Sequence, residues 1–149
     1  MALLQQFPAE KHRFDLVLTC SNQELWRFNI YLIYELFDER GERMEFGHRL
    51  DVIAEDKPYP TTPLKDYPKQ RRVEVNMQEC HHARVVIHIL PFRLPEGDGI
   101  ANYPPIKMEL SLLDNGVEKY KDILPINQWG GKRFDFDLPF TEGRDIRKL

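Results

Sequence analysis

Between Leu25 and Phe37 the large apolar side chains fall on every second residue: Trp26, Phe28, Ile30, Leu32, Tyr34 and Leu36. A period of two belongs to a strand with one buried face, whereas a helix would repeat every 3.6 residues. Fully extended at ~3.3 Å per residue, the run would reach about 43 Å, while a chain of this size has an expected radius of gyration of about 15 Å. The run is therefore expected to bend or to project.

The same alternation recurs along the chain. It places Phe14, Leu16 and Leu18 on one side of residues 13–20, and Met44, Phe46, His48, Leu50 and Val52 on one side of the next run. It continues through Val73, Val75 and Met77 in 71–77, Val85, Ile87 and Ile89 in 83–92, and Met108, Leu110 and Leu112 in 106–113. Asp114-Asn115-Gly116 is a strong hairpin signal leading to a return strand at 117–124, and Phe134, Phe136, Leu138 and Phe140 mark a last strand at 132–140. No segment has helical spacing. The chain holds two Ser, four Thr and five Ala beside 11 Pro and 17 aromatic residues, a composition that suits strands joined by proline-punctuated loops. Pro58, Pro60, Pro63 and Pro68 crowd into 54–70, and a second long loop runs from Pro91 to Pro105. The expected architecture is all-β: a single-domain antiparallel β-sandwich of about eight strands with two long Pro-rich loops, a partly open β-barrel being the alternative. It would span residues 1–149, with flexible ends at about 1–10 and 141–149.

The hairpin after Phe37 carries a register prediction. Residues paired across a hairpin share a face, so its loop must bring the two even-numbered apolar sets together. A loop of Glu39-Arg40-Gly41 pairs even with even, sets Leu32 opposite His48, and puts Gly where a left-handed residue is needed. His48 then faces inward.

Twenty-one basic and 24 acidic residues are interspersed to a net charge of −3. The nearest approaches to a basic patch, Arg71-Arg72 and the tail Arg144, Arg147, Lys148, have acidic neighbours, so nucleic-acid binding is not expected. No apolar run is long enough for a membrane span, and the N-terminal stretch lacks the pattern of a secretory signal. Cys20 and Cys80 belong to no Cys-x-x-Cys pattern, which fits reduced thiols and a cytoplasmic location.

Catalytic chemistry finds little support. Ser21 and Ser111 are the whole serine supply, neither in a Gly-x-Ser-x-Gly context, and no motif joins Cys20 or Cys80 to a base. Cys80, His82 and His88 are candidate metal ligands if one strand face presents all three; Cys80 and His82 have the alternate spacing that lets one ion bridge them, but a third and fourth ligand at recognised spacing are missing locally. No cofactor is expected.

Two surfaces suit a protein partner. Ile30-Tyr31-Leu32-Ile33-Tyr34 is apolar on both sides of its strand, so Tyr31 and Ile33 need cover beyond the core. Tyr59, Tyr67, Tyr103 and Trp129 lie in loops rich in Pro and Gly, where flat rings with polar handles serve recognition or seal the ends of a sandwich. The functional expectation is a non-catalytic protein-interaction or assembly module, through a protein partner or self-association. The alternative is a small-ligand binding domain, carbohydrate first and metal second.

Overall fold

The computed structural model describes residues 10–97, 102–139 and 147–148. The strands, in chain order, are β1 Phe14–Cys20, β2 Phe28–Phe37, β3 Arg43–Asp51, β4 Arg71–Asn76, β5 His82–Pro91, β6 Ile106–Asp114, β7 Val117–Ile126, β8 Lys132–Leu138 and the short β9 Arg147–Lys148. They form two sheets, ordered β4-β1-β6-β7 and β3-β2-β5-β8-β9, and every pairing is antiparallel. The chain is an all-β sandwich. No ladder joins the two sheets among the described strands, so the barrel alternative is not realised. The expected flexible ends lie outside the described residues, except for Glu10, Arg147 and Lys148, as does Phe140.

Alternation builds the core. Leu16 and Leu18 of β1 and Leu110 of β6 meet Ile30 and Leu32 of β2, Ile87 of β5 and Phe134 of β8 in one buried cluster shared by both sheets. Each such side chain contributes about 1.5–3 kcal/mol by leaving water. The 52–70 and 92–105 connections emerge at the same end of the sandwich, together with 21–27 and 127–131, while the tight turns occupy the other end. At that other end the Asn115-Gly116 loop turns as the sequence predicts, with φ of 51° and 83° at its two central residues.

Two expectations are corrected. The 25–37 run is not one projecting strand: Gln23–Arg27 is a 3-10 helix and the strand starts at Phe28. Asn22 caps that helix by accepting the Glu24 N–H at 2.8 Å, and Leu25 and Trp26, adjacent in sequence, are both buried, which a strand with one wet face cannot arrange.

The second correction concerns the β2–β3 register. The turn forms as expected: Asp38 N–H donates to the Glu42 carbonyl at 3.0 Å, the Asp38 carboxylate accepts the Arg40 and Glu42 N–H groups, and Gly41 has φ of 81°. Phe37 accordingly pairs with Arg43. The next pair is Leu36 with Glu45, so Met44 is the extra residue of a β-bulge and everything beyond it is shifted by one. Leu32 lies opposite Arg49, and His48 lies opposite Ile33 on the outer side of the sheet, exposed. A one-residue slip exchanges the faces of a strand, so the apolar set of β3 points outward.

Candidate functional site

The outer face of the β3-β2-β5 sheet follows from that bulge. Tyr31 and Ile33 of β2 stand in the middle, half-buried, flanked by Leu50 and His48 of β3 on one side and by His88 and Val86 of β5 on the other. Phe46 and Leu50 are 55% and 42% exposed, so two large apolar side chains of one strand lie in solvent beside Tyr31 and Ile33; Met44, also exposed, is the bulge residue and lines a cavity with Glu39, Glu79 and His81. Arg43 reaches over the Phe46 ring at 5.8 Å and pairs with Glu35 at 3.3 Å. Across β5 the face becomes charged, with Arg84, Asp135 and Asp137 lining a shallow cavity. Burial, then the Arg133 guanidinium, lowers the His88 imidazole pKa below its ordinary value, against the nearby Asp135 charge.

At the loop end, buried polar side chains fasten the connections. Arg71, 5% exposed, donates to the Leu25 and Phe28 carbonyls at 2.8 Å each, to the Asp51 carboxylate at 2.7 Å and to the Asp51 carbonyl at 2.8 Å, tying β4 to the opposite sheet. Arg27 donates to Glu24, to the Arg93 carbonyl and to Gln128, whose own amide donates to the Pro104 carbonyl. Asn29 holds the exit of β3 by accepting the Ile53 N–H at 2.8 Å and donating to the Ala54 carbonyl at 2.7 Å. The loop aromatics pack on neighbours: Tyr59 on Phe92 at 5.8 Å, Phe92 on Trp26 at 6.0 Å, and Tyr103 edge-on to Trp129 at 5.7 Å. Tyr67 lines an open cavity of about 520 Å³ with Asp51, Ile53, Leu64 and Arg72. Burial pushes the Tyr67 hydroxyl pKa up, against the neighbouring Arg71 charge.

The metal candidates are not brought together. Cys80 precedes β5 and lies in the core, bridged to His12, instead of sharing a face with His82 and His88. His82 and His88 both point outward, six residues apart on one strand, or about 20 Å at 3.3 Å per residue, too far for one ion. Among the described residues no three His, Cys, Asp or Glu side chains cluster to hold a metal. Burial pushes the Cys80 thiol up to about 11 and raises that of Cys20.

A thiol whose pKa is raised by folding stabilises the fold below its ordinary value of 9.0 and loses that contribution as pH climbs toward about 11. Melting temperature is therefore expected to fall across that interval. At pH 8 a thiol reagent should modify Cys20 and Cys80 no faster than the chain unfolds; rapid native labelling would show that the thiols are accessible.

Sequence reasoning placed Tyr31 and Ile33 on an outer face but missed the β3 row beside them, because the bulge leaves no mark in the apolar pattern. It also missed the anchoring role of Arg71. The signal was present: Arg71 stands in phase with Val73, Val75 and Met77, the inward set of its strand.

No protein-family model matches the chain, and no curated protein is similar to it. A solved structure of a DUF4425 family protein from Bacteroides ovatus is similar over 87% of this chain and 98% of its own, at 10% identity and a TM-score of 0.44. Among the described residues no helix is long and apolar enough to cross a membrane.

Proposed function

We propose that this chain is a non-catalytic assembly module that associates with protein through β3 and the apolar strip beside it. One observation carries the reading. Phe46 and Leu50 stand exposed on an edge strand, Leu50 directly opposite Tyr31 and the two flanking His48, which lies opposite Ile33, and solvent-facing apolar groups so placed make a contiguous patch of the kind that protein interfaces cover. The raised thiol pKa values and the scarcity of serine support a non-catalytic role. The two buried free cysteines are compatible with a cytoplasmic setting.

The test is sedimentation velocity over a wide concentration range on the wild-type chain and on the double variant Phe46→Ser, Leu50→Ser. Both side chains are exposed, so the variant should keep its melting temperature and lose association. Association that survives the double change, or a variant that unfolds, would defeat the reading. Tyr31→Ser with Ile33→Ser tests the second row in the same way.

A further inference from the structure

We infer that the partner of β3 is a second copy of this chain, paired antiparallel along the free edge of β3 about a two-fold axis at Gly47. This rests on the assembly reading above.

Among the described residues β3 pairs with β2 alone, and it runs for nine residues without Pro or Lys, its bulge lying near its start at Met44. The other edges are blunted: β4 is six residues long with Arg72 and Glu74 facing out, β7 carries Lys119, Lys121 and Pro125, and β8 is covered by β9. The backbone phase also fits. Phe92 N–H donates to the Arg27 carbonyl, so odd-numbered β2 residues turn their peptide groups toward β5 and even-numbered ones toward β3. By the β2–β3 register beyond the bulge, odd-numbered β3 residues answer β2, leaving the peptide groups of Phe46, His48 and Leu50 for the free edge. The Leu50 carbonyl is indeed met there only by its neighbour's guanidinium, Arg49 Nη1, at 3.1 Å.

Charge selects the register. Centring the pair on Gly47 sets Glu45 against Arg49 of the second copy, twice by symmetry, with Phe46 against His48 on the other face. Shifting the axis by one residue toward Asp51 brings Glu45 against Asp51, and shifting it by two either way sets Glu45 or Arg49 against itself. The Gly47 register is the one that sets Glu45 against Arg49. Arg43 and Asp51 already have partners within the chain, so Glu45 and Arg49 carry the discrimination. Glu45 Oε2 has no hydrogen-bond partner among the described residues, so that oxygen is not committed to a donor of its own chain. At the axis Gly47 has no side chain, and the Tyr34 ring of its own chain occupies that space.

Sedimentation equilibrium on charge-exchanged chains tests this. Glu45→Arg and Arg49→Glu, each alone, set like charges opposite at two places and should weaken dimerisation at least about tenfold. Mixing the two single variants restores unlike pairs at both places and should yield a heterodimer near wild-type strength, as should the double variant with itself. His48→Pro, which removes an edge N–H without touching the β2 ladder, should also abolish pairing; Arg49→Glu and His48→Pro at unchanged melting temperature cover the case in which Glu45→Arg fails to fold. A chain monomeric at all concentrations, or a dimer indifferent to both charge reversals, overturns the inference. If such a dimer is still lost in Phe46→Ser, Leu50→Ser, the assembly reading survives without the edge pairing.

Discussion

Replacing Arg71 by Met is expected to remove about 3–5 kcal/mol of folding stability, the range found when one partner of a buried ion pair is deleted. The side chain is 5% exposed and its donors reach two carbonyls of the 3-10 helix and strand beginning, the Asp51 carbonyl and the Asp51 carboxylate. Methionine fills the volume but leaves these acceptors desolvated and unanswered. Against a total stability of about 5–15 kcal/mol typical of a domain, at least about a fifth would go, visible as a lower urea midpoint at unchanged slope. Arg72, next in sequence, pairs with Glu74 at 3.1 Å in solvent, and Arg72→Met should stay within about 0.5 kcal/mol. Equal effects at the two positions would refute the anchoring role of Arg71.

Gly131→Ala should cost about 2–5 kcal/mol. Gly131 has φ of 74°, a conformation that costs an L-residue about 1–2 kcal/mol, and a Cβ there would lie 2.0 Å from the Ile89 carbonyl oxygen. That oxygen belongs to a central strand and cannot rotate away, which adds about 1–3 kcal/mol of overpacking. Gly116→Ala is the control: φ is 83° but nothing lies within 4 Å, so only the conformational cost remains. The difference between the two melting shifts isolates the backbone overlap, and identical shifts would mean that β5 yields.

The two substitutions mark what the sequence made visible and what it hid. Seven of the eight expected strands follow from alternation alone, because residues such as Leu16, Ile87 and Phe134 have a core on one side and water on the other. The two-residue loop at Asn115-Gly116 was legible because few residues accept its backbone angles. The 3-10 helix was not, since its Leu25 and Trp26 continue the apolar run and the one signal for it is Asn22, whose side chain caps it. The bulge at Met44 was hidden for a different reason. Both registers of β3 present an alternating strand, and the choice between them rests on tertiary terms: Tyr34 lies against Gly47, and Asp51 is placed to receive Arg71 from the facing sheet. Of the candidate surface, Tyr31 and Ile33 were found because an apolar residue out of phase with its strand's core set is conspicuous. Met44, Phe46 and Leu50 were found only as core.

Because both long connections leave the sandwich at one end, direction along β3 doubles as direction toward the loops. An antiparallel pair of such chains would carry its two loop ends at opposite poles, facing apart. That geometry makes a spacer with two heads, able to bridge objects on either side, and unsuited to closing both loop ends around one.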